Sequence, residues 1–211
     1  MQLQKTFAAN RKTDVIVEMI QTISGLLLVI FLWTHMIFVG SILMGAGVFD
    51  TLADFMEKYY LLDVTVVFLV LVITAHVGTV IRRIPGRWQE QKVIYKLAKT
   101  MKHGDTMSWL FQAITGSAML VMIAIHMFVV VYAGITTDLS AARVDSWMLW
   151  FYIVFLVFAE YHASVGLYRA LAKWGFIRRA PMKKVLTVVT IITIGLGLAS
   201  LIVFMRLGDS L

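Results

Sequence analysis

Four histidines, His35, His76, His126 and His162, each occupy a separate stretch of the chain that is long and apolar enough to cross a bilayer. An ionisable side chain in hydrocarbon is costly, and such residues face a partner, a cavity or a cofactor far more often than lipid. One histidine per stretch, four times over, is the pattern of two bis-histidine metal sites. A single carboxylate, Glu160, joins them in mid-stretch, two residues before His162. Two residues of helix turn a side chain through roughly 200°, so Glu160 flanks the ligand without sharing its direction. Hydrocarbon favours a neutral carboxyl, which suits a group that takes up and releases a proton.

The elements that must position these residues follow from composition. The chain has 211 residues, 60% of them hydrophobic, with a mean hydropathy of +0.85. A span needs about 20 mostly apolar residues, and five such runs are expected near 19–48, 61–82, 106–134, 146–170 and 185–205. They use most of the chain, which predicts one integral-membrane domain over 1–211, an all-α bundle with no soluble catalytic domain of its own. The first run follows a charged start without a small-residue cleavage site, so it is expected to be a retained helix rather than a signal peptide. There is no cysteine, which excludes disulfides, thiolate zinc, iron–sulfur ligation and covalent c-type haem attachment. The two prolines, Pro85 and Pro181, are expected between spans, leaving the helices unbroken.

The net charge of +7 is not a nucleic-acid signal, because 16 of the 19 Lys and Arg residues lie in three segments: the N-terminus, 82–102 and 169–184. Alternation of basic and poorly basic connections is the positive-inside pattern. It places the N-terminus in the cytoplasm and, with five spans, the C-terminus outside. Residues 84–105 mix Trp88, Val93, Ile94, Tyr95, Leu97, Ala98 and Met101 with lysines, as an amphipathic helix at the cytoplasmic surface or a docking face for a soluble partner would. His103, in that basic segment, reads as a surface residue.

A faint repeat runs through the chain. Gln21-Thr22-Ile23-Ser24-Gly25 precedes His35-Met36 by nine residues, and Gln112-Ala113-Ile114-Thr115-Gly116 precedes His126-Met127 by the same nine. Arg83 and Arg169 each follow a histidine by seven residues, about two helical turns, and so share its face. With these directions, His76 and His162 lie roughly 10 Å from the cytoplasmic boundary, and His35 with His126 lie deeper, roughly 25–30 Å from the inner charges. Two imidazoles on opposite faces of a porphyrin are a standard haem ligation. Gly25, Gly116, Gly78 and Gly166 could admit the flat ring. Arg82, Arg83 and Arg169 could meet propionates at the inner surface.

The chain as a whole resembles the di-haem cytochrome b subunits of bacterial menaquinol:fumarate reductases and related succinate:quinone oxidoreductases, with five spans and one histidine in each of the first four. The resemblance implies two b-type haems, with His76 and His162 on the proximal iron and His35 and His126 on the distal one. It further implies propionate contacts from Gln21, Trp109 and Lys173 at the proximal haem and from Arg143 at the distal haem. The Glu160-Tyr161-His162 run is similar to that of members with a transmembrane proton pathway, and Glu57 falls where the family carries a carboxylate for menaquinol oxidation. Implied partners are a flavoprotein (FAD) subunit, an iron–sulfur subunit, membrane lipid and menaquinol, in a bacterial inner membrane, with room for a dimer of heterotrimers. Three alternatives stand beside this one: a menaquinone-reducing succinate dehydrogenase, the di-haem anchor of another respiratory enzyme, and a haem-free transporter or assembly factor using the histidines as a proton relay.

Overall fold

The computed structural model describes residues 11–82, 87–101, 104–144, 148–176 and 178–209. Arg83, Pro85 and His103 lie outside them. Eight α-helices and one short 3₁₀ segment are present among the described residues: α1 (Arg11–Gly40), the 3₁₀ segment (Ser41–Met44), α2 (Ala46–Lys58), α3 (Leu61–Ile81), α4 (Trp88–Met101), α5 (Gly104–Ala133), α6 (Thr137–Arg143), α7 (Leu149–Lys173) and α8 (Arg179–Gly208). Five stretches are long and apolar enough to cross a membrane: Lys12–Met44, Leu61–Ile81, Thr106–Ala133, Leu149–Lys173 and Ala180–Gly208. The protein is therefore all-helical and multi-pass.

Helix α1 packs beside α3, and α5 beside α7, so the two halves of the sequence repeat form two neighbouring helix pairs. Helix α1 also touches α7 and α8, and α8 lies along α7, closing one side of the bundle. Close approach there depends on absent side chains. A Cβ on Gly197 would come within 2.6 Å of Leu156 Cδ2, and one on Gly40 within 2.8 Å of Leu196 Cδ1. Small residues are what lets membrane helices pack this tightly.

Two helices stand where the sequence reading has loops or spans. The first span ends earlier than 48 because Gly45, at φ 116°, takes a conformation closed to other residues. The chain then enters α2 in place of an open loop, with Phe49 and Ala53 buried on one face. Helix α6 is capped by the Thr136 side chain, which accepts from the Leu139 amide at 3.4 Å. Asp50 ties the two together, its carboxylate accepting from the Thr137 amide at 2.8 Å. Ile42, Phe49, Ala141, Val144 and Phe204 make a compact apolar plug at this end of the bundle. Pro181 sits in the first turn of α8 rather than between spans, where its missing N–H is not needed.

Candidate haem-binding cavity

Between the two helix pairs runs a cavity of about 1970 Å³, and all four membrane histidines line it. Their side chains arrive from α1, α3, α5 and α7, one each. His35 and His126 lie with ring centroids 6.0 Å apart and planes at 65°. Two imidazoles on one metal are separated by about the same distance, since each metal–nitrogen bond is roughly 2 Å and the ring adds about its own radius. His76 and His162 lie close enough to interact electrostatically. Among the described residues no group of three or more His, Asp or Glu could hold a metal by itself. Paired histidines with nothing further fit a macrocycle that supplies the remaining ligands.

The pairs are held differently. His76 Nδ1 lies 3.1 Å from Ser24 Oγ, and His162 Nδ1 lies 3.1 Å from the Gln112 carbonyl. The His35–His126 pair is held by rings. Phe31 stacks on His35 at 5.5 Å, and Tyr152 and Phe155 meet His126 at 5.8 and 5.6 Å. His126 Nδ1 is buried without a hydrogen-bond partner.

Of the polar residues singled out in the sequence, Gln21, Trp109, Arg169, Lys173 and Arg143 line the cavity. Gln21 Oε1 is buried and unmatched there, and Lys173 forms an ion pair with Glu18. Arg143 donates to the carbonyls of Leu139 (3.1 Å) and Gly134 (2.7 Å) and to Ser140 Oγ (3.0 Å). Burial lowers the pKa of its guanidinium, an effect partly offset by Tyr152; an arginine retains its charge at neutral pH even so. Basic and amide groups thus stand at both ends of an otherwise apolar chamber, which fits an apolar macrocycle with acidic edges. Arg82 is exposed at the end of α3, and Glu57 is exposed near the end of α2, beside the cavity-lining Met56.

Glu160 is not itself among the residues lining the chamber, although its partners Ser164 and Thr190 are. It is 0% exposed, and its Oε1 accepts from Ser164 Oγ at 3.0 Å and Thr190 Oγ1 at 3.1 Å. Those two hydroxyls are themselves 2.6 Å apart. The Trp33 indole lies nearby, yet neither its N–H nor Glu160 Oε2 makes a hydrogen bond of acceptable geometry. Ser164, four residues on from Glu160, carries a helical-spacing signal; Thr190 and Trp33 come from other helices and carry none. Gly25 and Gly116 abut the imidazoles of His76 and His162, Gly166 abuts the Gln112 amide, and Gly78 faces open space.

Comparison with known proteins agrees with this arrangement. Residues 89–199 match the family model described as succinate dehydrogenase/fumarate reductase transmembrane subunit. The chain is 32% identical over 205 residues to a fumarate reductase cytochrome b subunit of Helicobacter pylori, covering 90% of this chain and 80% of that one. It is 31% identical over 206 residues to the protein of the same name from Wolinella succinogenes, covering 89% and 80%.

Proposed function

Because this chain belongs to the succinate dehydrogenase/fumarate reductase transmembrane-subunit family, as a membrane-anchor cytochrome b subunit, we propose that it oxidises menaquinol and delivers the electrons to a fumarate-reducing partner. The observation that carries this reading is the single chamber lined by four histidines from four helices, gathered as two pairs. The whole chain acts as one membrane domain of a bacterial inner membrane, N-terminus in the cytoplasm, as the distribution of Lys and Arg supports.

One-electron transfer is the chemistry that two bound b-type haems would supply here. His76 and His162 would hold the proximal iron and His35 and His126 the distal one. Gln21, Trp109, Arg169 and Lys173, with the exposed Arg82 and, from the sequence alone, Arg83, suit the proximal propionates; the desolvated Arg143 suits the distal ones. Glu57 takes a proton from menaquinol at the outer side. Each menaquinol gives up two electrons and two protons; the electrons reach an iron–sulfur subunit and then a flavoprotein, where fumarate takes up two electrons and two protons. Moving an electron against an inside-negative potential costs about 2.3 kcal/mol per 100 mV. A proton carried inward on Glu160 for each electron cancels that movement of charge. Its carboxyl, fully buried beside Ser164, Thr190 and the Trp33 indole, is where that proton would rest.

The test is turnover by the purified complex with a menaquinol analogue and fumarate. Fumarate-dependent quinol oxidation is expected, slowed by Glu57→Gln while an artificial donor still reduces fumarate. Succinate-driven quinone reduction without the reverse reaction would assign the chain to a succinate dehydrogenase instead.

A further inference from the structure

The repeated pentapeptide has a common structural use. In α1, Ser24 Oγ donates to the Gln21 carbonyl at 3.1 Å and lies 3.1 Å from His76 Nδ1 on α3. With its hydrogen engaged, Ser24 turns a lone pair toward the ring. In α5, Thr115 Oγ1 donates to the carbonyls of Phe111 (2.8 Å) and Gln112 (3.2 Å) and lies 3.4 Å from His162 Nδ1 on α7. The Gln112 carbonyl is 3.1 Å from the same nitrogen. A carbonyl only accepts, so Nδ1 of His162 carries the hydrogen, and the engaged Ser24 hydroxyl implies the same for His76. Each Nε2 is thereby left with its lone pair available. The glycine that follows makes the space: a Cβ on Gly25 would stand 3.2 Å from His76 Cε1, and one on Gly116 only 2.8 Å from His162 Cε1. The rings of His35 and His126 make no such hydrogen bond among the described residues, although the same two helices carry them.

We propose that Gln-x-x-Ser/Thr-Gly, at 21–25 and 112–116, is a histidine socket that fixes the tautomer and ring orientation of the two inner ligands and sets the reduction potential of the inner haem alone. This rests on the haem reading above. Ser24, Thr115, Gly25 and Gly116 are positioning residues, acting through His76 and His162. An Nδ1–H that donates to an acceptor makes the imidazole a more basic ligand, which favours oxidised iron. Weakening the socket shifts the inner midpoint potential upward and leaves the outer one in place, an internal control within the same molecule.

The two sockets are unequal, and that gives the test its pattern. Each ring also has its glutamine carbonyl as a partner, but Ser24 stands 3.1 Å from His76 Nδ1 and Thr115 3.4 Å from His162 Nδ1. Gly116 is the tighter notch and Gly25 the looser. Redox titration and low-temperature electron paramagnetic resonance on the purified complex would read both haems in each variant. Ser24→Ala should raise the inner midpoint more than Thr115→Ala, and Ser24→Thr should restore it. Gly116→Ala should change the inner haem's g values more than Gly25→Ala, which is mild enough to keep the haem bound. Outer-haem signals should stay fixed throughout. An unmoved inner haem in Ser24→Ala and Gly116→Ala, or equal shifts in both haems, would overturn the socket while leaving the haem reading intact. A wild-type complex with no b haem would overturn both.

Discussion

In the proposed function Glu160 matches proton movement to electron movement, and a fully buried carboxyl among hydroxyls suits that role. Oε1 accepts two hydroxyls, and the Trp33 indole lies beside the carboxyl. Glu160→Gln preserves the shape and can keep both bonds to the remaining oxygen, but its amide cannot shuttle the proton. Both haems should stay bound while quinol-linked turnover falls by about tenfold or more, the low end of what a positioned proton-transfer group contributes. Unchanged turnover would remove Glu160 from the proton path. At this scale the sequence was most legible where hydrocarbon makes a residue expensive. Glu160 and the four histidines stand out because a titratable group in mid-span is expensive to bury. Ser24 and Thr115 were visible only as members of the repeat, with no role attached, since a hydroxyl in a membrane helix commonly just bonds its own backbone. Their second bond, to a ring on another helix, exists only in three dimensions.

At the scale of elements, the helices α1, α7 and α8 are set by glycine more than by shape-matched large side chains. Gly195 and Gly197 lie two residues apart on α8 and face different surroundings. A Cβ at Gly195 meets nothing within 4 Å, and one at Gly197 meets Leu156 and Met36 at under 3 Å. Gly197→Ala should therefore overpack the α7–α8 contact, costing about 1–3 kcal/mol and lowering the melting temperature in detergent. Gly195→Ala should leave it unchanged. Equal effects would mean that helix propensity rather than packing decides. All five spans were legible from apolar run length, and α4 from its alternation of lysine with large apolar residues. The boundary near 48 was not, because the glycine that breaks the span lies inside an unbroken apolar run. Helix α2 was hidden for a related reason: its acidic and polar face reads as loop until Phe49 and Ala53 are seen buried beneath it.

For the whole molecule, a chamber flanked by two helix pairs, with the α2–α6 plug at one end, is the space that the proposed electron route would use. Membership of the transmembrane-subunit family matches that shape, and the sequence repeat is its imprint, each half contributing one helix pair. Direction of turnover leaves no such imprint, since in the proposed function the fumarate chemistry lies in a partner subunit. The central claim is that the four histidines hold two b-type haems, and it is tested most directly by counting haem. A pyridine haemochrome assay on the complex purified in mild detergent should give two haems per chain. Reduced-minus-oxidised spectra should show a b-type signal that falls by half in His76→Ala, with the outer haem retained. A folded wild-type chain with no haem would contradict the account, and so would loss of only the outer haem from His76→Ala.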